Sequence, residues 1–506
     1  MYLTFDVGTT SVKTALYNRS GKILHKVIRS YTLDSPKVDW YEVDPEIYWQ
    51  AVIEGLKEVI LKSGVDPKGI KSICGCSQGE TVILLDNRDQ PIRPAMVWLD
   101  KRARKEVDEL RSAIGEEEFF RVTGISEIDT TWSALKLLWL KKNEKDTYSR
   151  ISKFFLIEDY IVYRLTGMFC STASLLSSSA LVDIYKKKYW DWMVDFLGIK
   201  GRLAPIVEEG SIVGRIKPEI SSALGISREV AVVKGSMDQT MGVVGAGNIK
   251  PGIVTEITGS AMAVVTVVDK IEPSGKVPVP YQPHVIPDTY ILLPFALTAG
   301  MVYKWFREQI LKSGAEGTDE GGDDYEKYNR LAAAIKPGSE GLVLLPYLAG
   351  ASYPENDTYA KGVFYGVTLK HGRAHFVRAI MEAIGYMLKK ILTVLVENGV
   401  EIKEIRSMGG GARSDTWLQI KSDICNYPIV KMLEEEAPSL GAAVISSVKM
   451  GDYATVEDAV KAMVRTGKRF LPDPDSQKAY AVGYELYCEL YRSVKPLFQR
   501  YRIDMI

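Results

Sequence analysis

The sequence predicts an α/β protein that folds as two domains around a central cleft. The chain has 506 residues, which is too long for one ordinary hydrophobic core. Segments with the periodicity of strands and of helices alternate along it. Two segments, around Gly8 and Gly259, share one pattern: an apolar strand, a turn of glycine and hydroxyl residues, and a second apolar strand. They lie 251 residues apart, about half the chain, so we expect a weak internal duplication with two hairpins facing each other across the cleft.

The first hairpin, residues 1–17, has a turn suited to binding an anion. Gly8 allows a left-handed backbone, and successive turn N–H groups form a concave anion site. Thr9 and Thr10 add hydroxyl donors, and Lys13 adds a positive charge suited to phosphate. Asp6 offers the hard oxygen ligands that Mg²⁺ prefers. The turn therefore predicts a site for nucleotide phosphates, and a plain hairpin with a Gly-Thr turn is the alternative.

The rest of the first half alternates strands and helices. A strand is expected in KILHKVIRSYTL, and an amphipathic helix in DPEIYWQAVIEGLKEVILKSG, with Asp44 as its N-cap and Gly64 as its end. IKSICGCSQGETVILLD predicts a buried strand, a polar interruption and another strand. Residues 101–200 are predicted to be mostly helical, with a core-facing stripe in SALKLLWLKKN.

In the middle of the chain the strand VAVVKG leads into a polar patch that contains Asp238, and the second hairpin follows in IVTEITGSAMAVVTVV. Prolines and glycines mark an irregular excursion at 270–290, and residues 315–328 predict an acidic, glycine-rich surface loop. Helices are expected at 300–313 and 373–397. A run of three glycines lies between the strand IKEIRSM and the helix TWLQIKSDICN, so its backbone N–H groups meet a helix N-terminus where a nucleotide can bind.

Composition narrows the range of partners. Lysine plus arginine, 64, balances aspartate plus glutamate, 64, so no net field favours nucleic acid or an anionic membrane. No run of about 18 uncharged apolar residues could span a bilayer, and the N-terminus shows no export signal. Five cysteines, an odd number in mostly apolar surroundings, indicate reduced thiols in a cytoplasmic protein. With four histidines, a zinc site is improbable.

Ten motifs of the chain lie in the order typical of one protein family: DVGTTSVK, WLDKRA, SALKLLWL, DYIVYRLTG, MDQTMGVVGAG, TGSA, AGMVYKWF, LLPYLAGASYPEN, KGVFYGVTLKHGRAHFVRAIME and GGGARSDTWLQIKSDICNYPI. On these motifs the chain resembles the FGGY family of carbohydrate kinases over essentially its whole length. The resemblance implies the ribonuclease H-like fold of sugar kinases, actin and heat-shock ATPases, with a substrate-side domain at 1–245 and a nucleotide-side domain at 246–506. The C-terminal helix, near 474–499, is a candidate to pack back on the first domain.

The resemblance also implies a reaction and roles for particular residues. The γ-phosphate of ATP would pass to a hydroxyl of a small sugar or polyol, with Mg²⁺ bound. Asp238 would be the base that faces the substrate hydroxyl, and Asp6 would lie near Mg²⁺, directly or through water. The residues implied to bind ATP are Thr9, Thr10, Lys13, Thr258, Gly259, Gly300, Gly410, Gly411 and Ser414. Those implied on the substrate side are Gln78, Gly79, Glu80, Trp98, Asp100, Asp238 and Gln239.

Plainer interpretations exist for two of these residues, and two interpretations exist for Arg102. An aspartate between a strand and a helix, like Asp238, commonly caps the helix, and most tryptophans, like Trp98, only pack in a core. The neighbouring motifs favour the functional interpretation of both. Arg102 is either a neighbour of the substrate or a structural partner of Asp100, and Glu80 is the better candidate for hydroxyl recognition.

Three departures from family patterns bear on the substrate. Gly79-Glu80 stands where glycerol kinases carry Arg-Glu and where xylulose kinases usually carry Met-His, Thr131 stands where glycerol kinases carry a tyrosine, and AGAS replaces the usual SGER. These departures argue against glycerol and against a strict xylulose assignment. We expect a ketopentose such as xylulose, with gluconate or another polyol as the alternative, disfavoured because Glu80 and Asp100 would repel the carboxylate of gluconate. An actin-like or chaperone-like ATPase that binds a protein partner is the alternative of another class, and a homodimer is left open.

Overall fold

The computed structural model describes residues 1–271, 278–311 and 324–501. Residues 272–277 of the predicted irregular excursion, and most of the predicted acidic loop at 315–328, lie outside the described residues. In the described part of the chain, no helix is both long enough and apolar enough to cross a membrane. The five cysteines are free thiols, and four of them are buried.

Strands and helices alternate through the first half. The elements are β1 (Tyr2–Val7), β2 (Ser11–Tyr17), β3 (Ile23–Ser30), β4 (Glu42–Val43), α1 (Pro45–Ser63), β5 (Ser72–Ser77), β6 (Ile83–Leu85), β7 (Ala95–Met96), α2 (Arg104–Ile114), α3 (Glu116–Thr123), α4 (Ser133–Asn143), α5 (Lys145–Arg150), β8 (Lys153–Phe155), α6 (Ile157–Thr166), α7 (Ala173–Leu176), β9 (Val182–Asp183), β10 (Lys188–Tyr189), α8 (Asp191–Leu197), β11 (Ile212–Arg215), α9 (Pro218–Leu224), β12 (Ala231–Met237) and α10 (Asp238–Gly245).

The second half continues the alternation. Its elements are β13 (Gly252–Thr258), β14 (Met262–Val268), β15 (Tyr281–Pro283), β16 (Tyr290–Leu292), β17 (Phe295–Ala296), α11 (Gly300–Phe306), α12 (Asp324–Ala333), β18 (Val343–Leu345), β19 (Val363–Tyr365), α13 (Arg373–Glu397), β20 (Ile402–Met408), α14 (Asp415–Cys425), β21 (Ile429–Met432), α15 (Ala437–Lys449), α16 (Val456–Met463), β22 (Thr466–Phe470) and α17 (Pro474–Arg500). Short helical turns cover Pro67–Gly69, Ser177–Ser179, Arg307–Leu311, Ser339–Gly341 and Gly410–Arg413.

Two sheets of the same topology organise the described residues. The first has the strand order β11-β12-β5-β1-β2-β3, and the second β15-β16-β14-β13-β20-β21-β22, with β17 paired to β14. In the first, β1 is antiparallel to β2 and parallel to β5, which is parallel to β12. In the second, β13 is antiparallel to β14 and parallel to β20, which is parallel to β21. The predicted duplication is therefore confirmed in topology, with the hairpins of Gly8 and Gly259 in equivalent positions.

The local signals explain several helices. Asp44 caps α1 by accepting the backbone N–H of Glu46, and Gly64 ends it in the left-handed region at φ 67°. The helix predicted at 373–397 is confirmed in its bounds. The helix predicted at 300–313 begins at Gly300 as α11 and continues as a π-helical turn over Arg307–Leu311, and residues 312–313 lie outside the described residues.

The first hairpin is buried on both faces. Leu3, Phe5 and Val7 join the core formed with α1, whereas Tyr2 and Tyr17 pack in the cluster that includes residues of α15. Helix α15 belongs to the second half of the chain, so the two halves share a core at this hairpin. All six residues of β1 are buried, including the polar Thr4 and Asp6, as expected of a strand that is covered on both faces.

Helices α10 and α15 pack with their backbones in close approach. A Cβ atom added at Gly245 would lie 1.9 Å from the carbonyl oxygen of Ala437, and one at Gly441 would lie 2.0 Å from that of Met241. Only glycine permits this spacing. Because α10 begins at Asp238, this contact fixes the position of that residue relative to the second half.

The expectation that the C-terminal helix packs back on the first domain is wrong. Helix α17 packs on α13, α14 and β18 of the second half. The hydroxyl of its Tyr487 lies 2.7 Å from the hydroxyl of Tyr347, and Tyr491 donates to Asp357 over 3.1 Å. These buried polar partners lie in the second half, and their hydrogen bonds select the surface on which the helix packs.

Candidate active site

Asp6 lies beside the turn of the first hairpin. It pairs with Lys13 across the ladder of β1 and β2, and the turn closes with a 2.9 Å hydrogen bond from the Gly8 N–H to the Ser11 carbonyl. Burial raises the pKa of Asp6 to about 6, with Lys13 opposing and Glu436 reinforcing the shift. Its Oδ1 atom is buried and has no hydrogen-bond partner in the part of the chain that the structure describes. An unpaired carboxylate oxygen at a predicted phosphate site fits the chemistry of a Mg²⁺ ligand.

Asp238 is the first residue of α10, directly after the buried strand β12. Met237 is the N-cap of this helix, so the capping interpretation of Asp238 does not hold. Its Oδ1 accepts the backbone N–H of Gln239 over 2.6 Å. Burial raises the pKa of Asp238 to about 8, and the negative charges of Asp6 and Glu80 add to the effect. A carboxylate that exchanges its proton near neutral pH has the character of a general base.

Several residues predicted on the substrate side form a connected surface, here called the acceptor wall, made of Gln78, Gly79, Glu80, Trp98 and Gln239. The indole N–H of Trp98 donates to Thr9 Oγ1 over 3.0 Å, and Thr9 Oγ1 in turn lies 3.2 Å from Gln78 Oε1. Gln78 Nε2 and Gln239 Oε1 are buried and have no hydrogen-bond partner among the described residues. An unpaired donor and an unpaired acceptor suit the hydroxyls of a polyol. Thr9 therefore contacts the substrate-side residues, besides lying in the hairpin turn.

Packing explains why a glycine precedes Glu80. A Cβ atom at Gly79 would lie 2.4 Å from Ser178 Oγ and 3.1 Å from Met237 Sδ, so a larger residue needs the turn at Ser178 to move. Burial raises the pKa of Glu80, although Lys136 and Ser178 oppose the shift. Lys136 is itself buried and donates to the carbonyl oxygens of Thr130, over 3.0 Å, and Thr131.

The prediction that Asp100 binds substrate is wrong. Its side chain is fully buried, and both carboxylate oxygens are occupied. Arg102 Nε donates to Oδ1 over 2.8 Å and Arg102 Nη2 to Oδ2 over 2.7 Å, while the Tyr41 N–H donates to Oδ2 over 2.8 Å. Arg102 also reaches Glu42 over 2.6 Å and lies on the ring of Trp40. Arg102 is thus the structural partner of Asp100, the alternative interpretation of the sequence.

On the nucleotide side, three glycine-containing segments meet in what we call the glycine floor, formed by Gly259, Gly300 and residues 409–411. The N–H of Gly300 donates to the Gly259 carbonyl over 3.0 Å, and a Cβ atom at Gly300 would lie 2.3 Å from that oxygen. A Cβ atom at Gly411 would lie 2.8 Å from the Thr258 side chain. The floor is backbone without side chains, and such a surface fits the close approach of a nucleotide.

Two predicted ATP-binding hydroxyls have structural partners. Thr258 Oγ1 donates to Glu256 and accepts from Lys421 Nζ over 2.9 Å, in a fully buried network beneath the second hairpin. Ser414 caps α14 by accepting the N–H of Trp417 over 3.1 Å. Thr10, by contrast, is exposed at the turn of the first hairpin.

Sequence reasoning missed Glu436, whose carboxylate pairs with Lys13 over 2.8 Å. It also gave no role to Lys136, Ser178 or Lys421. The signal available for Glu436 was an acidic residue immediately before a helix rich in small residues, LGAA, which is typical of close helix packing.

Two equivalent hairpins, one beside a pair of buried carboxylates and the other beside the glycine floor, define a phosphotransferase of the two-domain ATPase fold. Residues 1–245 match the N-terminal domain of the FGGY family of carbohydrate kinases, and residues 258–450 match its C-terminal domain. The chain belongs to the FGGY family of carbohydrate kinases. It is accordingly an ATP-dependent enzyme that phosphorylates an alcohol group of a sugar, and the actin-like or chaperone-like alternative is excluded.

Relatives of known name extend over nearly the whole chain. A xylulose kinase of Bacillus subtilis (strain 168) is 28% identical over 493 residues, which cover 97% of each chain. A gluconokinase of the same strain is 29% identical over 498 residues, covering 97% of this chain and 95% of that one. Among solved structures, a ligand-bound xylulose kinase from Lactobacillus acidophilus superposes with a TM-score of 0.89 at 27% identity, covering 99% of this chain and 100% of that one.

Proposed function

We propose that the chain transfers the γ-phosphate of ATP to a hydroxyl of a ketopentose such as xylulose. The observation that carries the proposal is the half-buried Asp238 carboxylate next to an acceptor wall with a second acid, Glu80, and with polar atoms that have no partner among the described residues. A neutral polyol satisfies these groups by hydrogen bonding. The similarity to a xylulose kinase over 97% of the chain supports the same choice.

Gluconate is the second candidate, because a gluconokinase is 29% identical over a similar length. The charges around Asp238 argue against it. Its carboxylate would meet the carboxylates of Glu80 and Asp238, and the nearby cations are engaged elsewhere, Lys13 by Glu436. Arg102 is held by Asp100 and Glu42, and Lys136 donates to backbone carbonyls beside Glu80.

In the proposed reaction the hydroxyl oxygen of the sugar bonds to the γ-phosphorus, while the bond from that phosphorus to the ADP oxygen breaks. Asp238 accepts the proton that the sugar hydroxyl loses. Lys13 and the hydroxyl of Thr10 hold the transferring phosphate, and the glycine floor receives the rest of the nucleotide. Asp6 would hold Mg²⁺ through its unpaired Oδ1, directly or through water. When bound, the ion neutralises phosphate charge. We also propose that residues 1–245 carry the substrate side and residues 246–506 the nucleotide side.

A substrate screen tests the proposal. ADP release is followed in a coupled spectrophotometric assay with pentuloses, hexuloses, aldonates, glycerol and erythritol, and without any sugar. We expect the highest kcat/KM with a pentulose and little ADP release without sugar. A response confined to gluconate would reverse the order of the two candidates, and equal ADP release with and without every sugar would contradict sugar kinase activity.

A further inference from the structure

An ion pair joins the two halves of the chain at the proposed phosphate site. Lys13, in β2, lies with its Nζ 2.8 Å from Oε2 of Glu436, the residue that precedes α15. Lys26, in β3, contacts the other carboxylate oxygen over 3.2 Å. The Glu436 side chain is 9% exposed, whereas those of Lys13 and Lys26 are 36% and 42% exposed. The carboxylate is thus the enclosed member of the cluster, and each lysine keeps an open side.

The position of Glu436 is fixed by its surroundings. Its carbonyl accepts the N–H of Leu440 over 2.9 Å, and its own N–H donates to Glu434 Oε1 over 2.9 Å. Although it occupies the N-cap position of α15, its side chain makes no capping hydrogen bond and extends to the lysines instead. Helix α15 packs against α10, the helix that begins at Asp238. The contact therefore ties Lys13 to the same rigid unit as the proposed base.

The electrostatics of this pair oppose nucleotide binding. Burial disfavours the charge on Glu436, but its contacts with Lys13 and Lys26 outweigh burial and lower its pKa. A bound phosphate that uses Lys13 must share that lysine with a carboxylate and lie near its negative charge. Such an arrangement orients the lysine before the nucleotide arrives and weakens the binding of nucleotide in its ground state.

We propose that Glu436 is a positioning residue that holds the Lys13 ammonium beside Asp6. When nucleotide binds, the ammonium divides its contacts between Glu436 and the phosphates. The proposal rests on the proposed role of Lys13 in holding phosphate. Its consequence is a division of effects: Glu436 makes ATP and ADP bind less tightly and makes the chemical step and ADP release faster.

Glu436→Gln tests this division, because glutamine keeps the size of the side chain and removes its charge. We expect the dissociation constants of ATP and ADP, measured by calorimetry in the absence of sugar, to fall about three- to tenfold. We expect kcat to fall by about three- to tenfold, since Lys13 loses its orientation and ADP leaves more slowly. A residue that only supports the fold would not tighten nucleotide binding, so unchanged or weaker affinity would overturn the proposal.

Glu435→Gln is the matched control. Glu435 precedes Glu436 on the same segment, is exposed, and pairs only with Arg413 of the second half, Nη2 to Oε1 over 2.8 Å, among the contacts of the described residues. The Glu435→Gln substitution removes the same charge without changing the contacts of Lys13. We expect its nucleotide affinity and kcat to stay within about twofold of the parent. An equal gain in affinity in both variants would assign the effect to general charge and overturn the proposal.

Two more variants separate this inference from the proposed function. Lys13→Met should weaken ATP binding, and unchanged binding would contradict the phosphate role of Lys13 itself. If Lys13→Met weakens binding but Glu436→Gln does not tighten it, only the role of Glu436 fails. Should Glu436→Gln not fold, Glu436→Asp replaces it, because aspartate is a good N-cap with a shorter reach toward Lys13. Tighter nucleotide binding in that variant supports the proposal, and parental binding overturns it.

Discussion

Replacing Asp238 by asparagine should stabilise the folded protein while it disables the enzyme. Burial and the charges of Asp6 and Glu80 raise the pKa of Asp238 to about 8, so the folded state disfavours the ionised carboxylate. The unfolded chain does not, because its aspartates ionise near pH 4. Ionisation therefore costs the folded state stability at every pH above about 4, and the cost grows until the pH reaches about 8. Asparagine has a similar shape and carries no charge.

The size of the effect follows from the same pKa. Each pKa unit corresponds to about 1.4 kcal/mol, so the free energy of unfolding would rise by roughly 4 kcal/mol at pH 7 if nothing relaxed. Since Asp238 retains partial solvent contact, we expect about 1–3 kcal/mol, or a melting temperature about 1–4 °C higher. Thermal unfolding at pH 7 and at pH 4.5 measures the change in melting temperature. The control is Asp195→Asn, because Asp195 is an exposed aspartate.

The pH dependence separates this reasoning from a general effect of the substitution. The advantage of Asp238→Asn should shrink between pH 7 and pH 4.5, because the unfolded carboxylate gains less free energy from ionisation as the pH approaches its own pKa near 4, while the folded carboxylate stays protonated. Asp195→Asn should change the melting temperature little at either pH. A destabilised Asp238→Asn variant, or an advantage that is the same at both pH values, would refute the account of this site.

Three further predictions concern neighbouring carboxylates. Asp6→Asn should lower kcat and raise the Mg²⁺ concentration needed for half-maximal rate, as measured by titration with the metal. The kcat/KM for sugar should rise as the pH approaches about 8, because Asp238 loses its proton over this range. In Asp6→Asn the midpoint of this pH profile should move to lower pH, because a negative charge near Asp238 is gone. Asp100→Asn should lower the free energy of unfolding by about 3–5 kcal/mol, because it weakens the buried ion pair with Arg102, and it should leave the KM for sugar unchanged. Glu80→Gln, by contrast, should raise the KM for sugar about tenfold or more.

The hairpins and the glycine floor were predictable because their signals are local. Alternating apolar residues around a turn predict β1 and β2, and a strand, three glycines and a helix predict the segment from β20 to α14. The equivalence of the two hairpins followed from comparing residues 251 apart. Topology then determined which of these segments meet, since Gly300 and residues 409–411 contact the second hairpin only through tertiary packing.

Errors arose where a side chain is satisfied by distant partners. Asp100 has the chemistry of a sugar ligand, but besides Arg102 its Oδ2 accepts the backbone N–H of Tyr41, 59 residues away in the sequence. Glu436 received no role from the sequence, and the structure shows that it reaches Lys26 across 410 residues. Likewise, the tyrosines of α17 predict an apolar face and do not say which surface covers it. Periodicity reports that a face is buried, and only the fold supplies its partner.

The most direct test of the whole account is kcat of Asp238→Asn measured together with its dissociation constant for ATP. If Asp238 is the base for the sugar hydroxyl, kcat should fall about 10²–10⁴-fold. ATP affinity should stay within a few fold of the parent, because the carboxylate lies on the acceptor side of the transferred phosphate. Turnover close to that of the parent would remove Asp238 from the mechanism, and loss of ATP binding would show that its role is structural.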